Sequence, residues 1–161
     1  MLLWEHRSVY RIPIVRVALV REGTVSSETR TVRAPSDAAS VVRETIGDYD
    51  REAFVVLLLN TKHRIIGVHI AGIGTLDSAP TGPREVFRAA ILAGAKAVIF
   101  GHNHPSDDPT PSAADLHLTR RLVKAGDLLG IPVLDHVIIG ETNHISLRER
   151  DVLSGGAESF S

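Results

Sequence analysis

The sequence predicts an α/β protein, a sandwich of helices against a mixed central sheet, and three observations carry that reading. Short runs that are apolar throughout alternate with segments whose apolar residues recur at helical spacing. The run Ala53–Leu59 contains no polar residue at all, the pattern of a strand covered on both faces. A second strand-like run follows it after a short polar turn, so a hairpin joins a sheet that helices otherwise interrupt.

The elements follow in chain order. Ile12 to Val20 is apolar apart from Pro13 and Arg16, and Val25 to Ala34 alternates after Glu22-Gly23, which predicts a strand pair over residues 1–34 packed on the core. Ser36 is the expected N-cap of a helix carrying Ala38, Val41, Val42, Thr45 and Ile46, with Gly47 as its stop. Asp48-Tyr49-Asp50-Arg51 is a polar connector and the expected subdomain boundary. After the central run, Asn60 to His63 reads as the turn and Arg64 to Ala71 as the second strand of the hairpin. A Gly/Ser/Pro-rich connection over 72–83 leads to a helix with Pro83 in its first turn and Val86, Phe87, Ala90, Ile91 and Ala93 on one side. Ala95 to Phe100 is a buried strand, and Gly101 to Pro111 is a loop dense in proline and aspartate. Ser112 opens a helix with Leu118, Leu122, Ala125 and Leu129 as its apolar side. Strands are expected over Ile131–Ile139 and Asn143–Leu147, and residues 154–161 read as a flexible tail.

Composition narrows the chemistry. The 161 residues include no cysteine and eight histidines, which excludes a disulfide framework, a thiol nucleophile and a cysteine-based zinc finger. A metal site would have to be built from histidine, carboxylate and water. Eighteen basic against 19 acidic side chains give a net charge of -1, which disfavours a protein living mainly on phosphate contacts. The start, Met1 to Arg7, carries Glu5 and Arg7 where a signal peptide needs an apolar core. With no run long enough to span a bilayer, the expectation is a soluble, cytoplasmic protein without a membrane partner.

One segment stands apart: His102-Asn103-His104-Pro105-Ser106-Asp107-Asp108-Pro109-Thr110-Pro111-Ser112-Ala113-Ala114-Asp115. Two histidines separated by one residue in extended chain point to the same side and can reach one metal. Asp115 falls in the first turn of the next helix, where the chain has folded back. Two imidazoles, a carboxylate and water make a tetrahedral site with an exchangeable position. Ser112 and Asp115 also have the spacing of a capping box, and the two roles are compatible because the cap aims the carboxylate. A base for the water comes from Glu52 or Glu85; spacing prefers Glu52 only slightly, since Glu85 also suits a helix N-terminus.

The pattern His102-x-His104-x7-Ser112-x-x-Asp115 resembles the JAMM (MPN+/JAB) metalloprotease motif, and the flanking words resemble its bacterial RadC branch. Those words are Pro83-Arg84-Glu85-Val86-Phe87, His102 to Ser106, Asp108 to Ser112, and Asp135-His136-Val137-Ile138-Ile139-Gly140. The likeness covers about residues 35–150, so 35–153 is expected to form the RadC-like JAB/MPN domain. It implies a three-layer sandwich similar to the cytidine-deaminase architecture, with Zn2+ on His102, His104 and Asp115. It also implies Ser112 as oxyanion stabiliser and Glu52 as general base, and leaves Glu85 without a catalytic role. Asp107 stands where RadC proteins commonly have glycine; a substrate contact and a tolerated loop residue are the alternatives. Residues 1–50 do not resemble the helix-hairpin-helix segment of longer RadC proteins, so the chain reads as a short form.

The expected function is a zinc-dependent hydrolase of peptide or isopeptide bonds acting on a protein substrate, with a homo-oligomer as an option. The alternative is a binding module on DNA or in a complex, with a structural or vestigial metal, for which Arg43, Arg120 and Arg121 are the available cations. The tripeptide His-Asn-His is not an HNH nuclease signature, because those residues are spread over a ββα-metal unit. His136 is expected to be a hydrogen-bonded core histidine, and His63, His69, His117 and His144 surface or strand residues. Asp107, Asp108, Asp115 and Glu52 are the acids expected around the cation.

Overall fold

The computed structural model describes residues 9–74 and 81–154; the chain start before Val9, the middle of the 72–83 connection and the tail beyond Ser154 lie outside them. The described elements are α1 (Pro35–Ile46), β1 (Ala53–Leu59), β2 (Ile65–Ile73), α2 (Pro83–Ala93), β3 (Ala97–Asn103), α3 (Ala113–Leu129), β4 (Val133–Ile139) and β5 (His144–Ser146). The strands form one sheet in the order β2-β1-β3-β4-β5. It is mixed: β1 is antiparallel to both neighbours, β3 and β4 run parallel across the α3 crossover, and β5 returns antiparallel on β4.

Burial follows from that order. Strand β1 lies between β2 and β3, and all seven of its residues are buried, which is why Ala53–Leu59 tolerates no polar side chain. Val55, Leu57 and Leu59 face one side with Ile99, Val137 and Ile139, and pack on Ala38, Val41, Val42 and Ile46 of α1. Phe54, Val56 and Leu58 face the other with Val98 and Phe100, and pack on Val86, Phe87 and Ala90 of α2 and Leu122 of α3. The result is a three-layer sandwich, one helix on one face and two on the other.

Several boundaries differ from expectation for identifiable reasons. Helix α1 is capped at Ala34 rather than Ser36: Pro35 occupies the first turn, and the Asp37 carboxylate accepts from the Arg33 and Ala34 amides at 2.8 and 3.0 Å. Strand β3 continues to Asn103, so Gly101, His102 and Asn103 belong to the sheet and not to the loop. Pairing on both sides, Phe54 with His102 and His102 with Ile138, carries the ladder that far. The strand pair expected over 12–20 and 25–34 is not formed. Residues 9–28 are exposed and irregular, and among the described residues the segment meets the sheet over Arg30–Val32, where Thr31 bridges Arg64 antiparallel, the Arg30 carbonyl accepts from the Ile65 amide and the Val32 amide donates to the His63 carbonyl. An alternating pattern reports strand propensity, but a strand exists only where its backbone finds a partner.

Candidate metal centre

The site forms where β3 ends beside the start of β1. Because those strands are antiparallel, the chain entering β1 at Glu52 lies next to the chain leaving β3 at His102–His104. Helix α3 then carries Asp115 back over the same strand end. Its first turn is built by the predicted box: Ser112 Oγ accepts from the Asp115 amide at 3.0 Å, and the Ser112 amide donates to Asp115 Oδ2 at 2.9 Å. The cap therefore fixes one lone pair of Oδ2 and aims the other at the histidines.

Three ligand atoms converge. His102 Nε2 and His104 Nε2 are 3.0 Å apart, and Asp115 Oδ2 lies 3.4 Å from the first and 3.2 Å from the second. Neighbouring ligands on a tetrahedral ion with bonds of about 2.0–2.1 Å sit about 3.3–3.4 Å apart, so the three atoms already have the spacing of one face of such a site. His104 Nδ1 is 2.8 Å from the Asp108 carbonyl, which can only accept; Nδ1 therefore carries a hydrogen, and Nε2 of the neutral ring offers a lone pair to the cluster. Bare nitrogens and a carboxylate oxygen at these distances repel unless a cation lies among them. A proton is the smallest such cation, and the hydrogen bond with Asp115 accordingly raises the His104 pKa above its ordinary value. Burial opposes ionisation of Asp115, but the two imidazoles facing its Oδ2 and the Ser112 amide outweigh it and hold the carboxyl well below the usual carboxylate range.

The other predicted residues divide. Glu52 joins the cluster from the open side, with Oε1 3.9 Å from His104 Nε2 and about a third of its side chain exposed. Ser112 sits at the rim as the cap, and its hydroxyl hydrogen engages no acceptor among the described residues. Glu85 is engaged elsewhere: its Oε2 accepts from the Gly82 amide at 3.2 Å and closes the start of α2, the role its position favoured. Of the four acids expected around the cation, only Asp115 and Glu52 face it. The Asp108 carboxylate turns to Thr110, accepting from its amide at 3.0 Å and its hydroxyl at 2.6 Å. Asp107 has φ +66°, which explains why glycine suits this position, and its Oδ1 accepts from the amides of Glu141 at 2.5 Å and Thr142 at 3.3 Å. It is a backbone clamp on the β4–β5 turn, and it replaces the freedom of glycine with two fixed contacts.

Two contributors were not foreseen in these roles. Asn103 is buried, and its side chain spans the residues flanking Glu52: Oδ1 accepts from the Ala53 amide at 2.7 Å and Nδ2 donates to the Arg51 carbonyl at 3.1 Å. It thereby holds the backbone on both sides of the candidate base. His136 is the expected core histidine, fully buried, but its Nε2 lies 2.7 Å from His102 Nδ1. Both rings pack against Phe54, and burial pushes the His136 pKa well below its ordinary value. Of the arginines considered for DNA, Arg120 and Arg121 are exposed on α3, and Arg43 donates to the Asn143 carbonyl at 3.1 Å. No helix among the described residues is long and apolar enough to cross a membrane.

The family model described as "RadC-like JAB domain" matches residues 32–152. A "UPF0758 protein" of Desulforamulus reducens is 46 % identical over 134 residues, 83 % of this chain and 59 % of the relative. Another, from Desulforudis audaxviator, is 50 % identical over 118 residues, 73 % of this chain and 51 % of the relative. A third, from Moorella thermoacetica, is 48 % identical over 126 residues, 78 % of this chain and 55 % of the relative. The chain thus spans between half and three-fifths of the length of these relatives.

Proposed function

Because the chain belongs to the RadC-like JAB domain family, we propose that its cluster of two histidines and an aspartate is the zinc site of a hydrolase acting on peptide or isopeptide amide bonds. The observation that carries the reading is the convergence of His102 Nε2, His104 Nε2 and Asp115 Oδ2 at 3.0–3.4 Å with the Glu52 carboxylate alongside. Two imidazoles and one carboxylate are a donor set that zinc accepts, and three protein ligands leave a fourth position for water or substrate. Bound there, zinc supplies a more acidic water and a Lewis acid for the scissile carbonyl.

The remaining work falls to the chain itself. Glu52 takes the proton of the attacking water and returns it to the leaving amine. Its partly exposed position suits both steps, since it must meet substrate while its backbone is held by Asn103. Ser112, its hydroxyl hydrogen uncommitted, donates to the oxygen on which negative charge develops. The substrate is proposed to be an extended peptide or a peptide joined through a lysine side chain.

Metal analysis of the purified protein tests the reading. About one equivalent of zinc is expected in the wild type, and a substoichiometric amount in His104→Ala. Glu52→Gln should retain zinc and lose cleavage of a fluorogenic peptide or isopeptide library. A wild type without zinc, or His104→Ala with a full equivalent, refutes the site; Glu52→Gln with unchanged turnover refutes the base.

A further inference from the structure

Behind the metal-facing atoms lies a second line of hydrogen bonds that leaves the site and comes back to it. The Thr119 hydroxyl is 2.7 Å from the Asp115 carbonyl and 2.7 Å from His136 Nδ1; His136 Nε2 is 2.7 Å from His102 Nδ1. All of these side chains are buried. The line therefore runs from one ligand-bearing residue, Asp115 on α3, through α3 and β4 to another, His102 on β3.

We propose that Thr119 sets the tautomer of His102 through His136, and that Thr119 and His136 are positioning residues of the metal site. The proposal rests on the zinc-site reading only for what the tautomer serves. The direction of each bond follows from counting hydrogens. A carbonyl oxygen only accepts, so the single hydroxyl hydrogen of Thr119 goes to Asp115, one turn earlier in the helix. Thr119 Oγ then has only lone pairs left for His136, so His136 Nδ1 must carry a hydrogen. A ring fully buried among Phe54, Phe100 and another imidazole, with no carboxylate touching it among the described residues, stays neutral, so its Nε2 is bare. His102 must therefore donate from Nδ1, and in the neutral ring its own Nε2 is left with a lone pair directed at His104 and Asp115.

That is the state a metal requires, fixed before any metal arrives. Without the hydroxyl, His136 is free to carry its hydrogen on Nε2 and donate to His102 Nδ1. The hydrogen of His102 then sits on Nε2, where it blocks the ligand position. The i,i+4 spacing of Asp115 and Thr119 makes the same hydroxyl a reporter of the α3 first turn, so the orientation of one ligand is tied to the protonation of another.

Two measurements separate this proposal from the zinc reading. Long-range proton–nitrogen correlation spectra of the metal-free wild type should show His102 and His136 each protonated on Nδ1; an Nε2-protonated His136 overturns the relay whether or not the protein binds zinc. Zinc affinity, read by competition with a chromophoric chelator, should fall roughly 10–100-fold in Thr119→Val, the scale on which outer partners of metal ligands act. Thr119→Ser, which keeps the hydroxyl, should restore it to within about threefold of wild type. Wild-type affinity in a folded Thr119→Val also overturns the relay, and if that variant does not fold, the wild-type spectra decide. A wild type that binds no zinc while showing both tautomers refutes the metal reading and leaves the relay standing.

Discussion

Substitution of Gly101 by alanine puts the packing beneath the site to a quantitative test. Gly101 precedes His102 in β3, and a methyl group there would meet Val42 Cγ2 at 2.3 Å, Val42 Cγ1 at 2.8 Å and Val55 Cγ2 at 3.1 Å. Both valines are fully buried, and β3 is hydrogen-bonded on both sides, so neither the helix nor the strand can withdraw cheaply. Overpacking of this kind costs about 1–3 kcal/mol, and two contacts below 3 Å place Gly101→Ala in the upper part of that range. Val42→Ala alone removes two buried methyls, about 1.6 kcal/mol of transfer free energy before any cavity cost. In the double variant the new methyl occupies the space vacated by Val42, so the combined loss should be smaller than the sum by about 1–3 kcal/mol. Urea denaturation of the metal-free proteins reads all three values. A Gly101→Ala variant within about 0.5 kcal/mol of wild type, or strict additivity, would show that α1 does not press on the sheet beside His102.

Further consequences can be checked separately. Asn103→Ala leaves the buried Ala53 amide without its 2.7 Å acceptor, which should cost about 1–3 kcal/mol of stability; zinc content should hold while turnover drops, and an unchanged turnover would remove Asn103 from the positioning of Glu52. Asp107→Ala forces a left-handed backbone without the clamp on Glu141 and Thr142 and should lose about 1–2 kcal/mol in thermal or chemical unfolding, whereas Asp107→Gly, free of the backbone strain, should lose less; the reverse order refutes the strained backbone, and Asp107→Ala at wild-type stability refutes the clamp. A pH comparison isolates His104. Its pKa is raised above 6.5 by Asp115, so its stabilising contribution is complete below that value and fades as pH rises through the higher folded-state value. His136, lowered first by burial, acts in the opposite direction, and that burial is common to both proteins. The metal-free wild type should therefore exceed His104→Gln in stability by more at about pH 5 than at about pH 8, and an equal or inverted gap in urea titrations would contradict the His104–Asp115 bond.

The cluster of His102, His104 and Asp115 was legible in the sequence because its geometry is local. His102 and His104 share a side by strand periodicity, and Ser112 to Asp115 is a helix start whose cap spacing also turns Asp115 toward the histidines. The central strand was legible for a similar reason, since burial on both faces leaves a compositional mark. What was hidden depends on register between distant segments. Asn103 reaches Ala53 only because β1 and β3 pair antiparallel with Phe54 opposite His102. His136 could be read as a bonded core histidine, but its partner is decided by the β3–β4 alignment that sets Phe100 opposite it. Asp107 looked like an unusual charge; its positive φ and the turn it grips are visible only in three dimensions. The N-terminal pair failed for the converse reason: a clear alternating pattern existed, and its backbone found no ladder beyond Arg30–Val32 among the described residues.

The separation of the ligands from the base along the chain also bears on how the site assembles. His102, His104, Ser112 and Asp115 lie on one strand–loop–helix unit, whose ends meet by closing a short loop stiffened by Pro105, Pro109 and Pro111. Glu52 reaches them only after the β1–β3 pairing closes across a sequence separation of 50 residues, as between Ala53 and Asn103. The entropy of closure grows with loop length, and long-range strand pairing forms slowly. During refolding, the His102–His104–Asp115 cluster should therefore close before Glu52 docks beside it, so that the chain passes through a form in which the candidate metal centre is assembled and its neighbouring carboxylate is not.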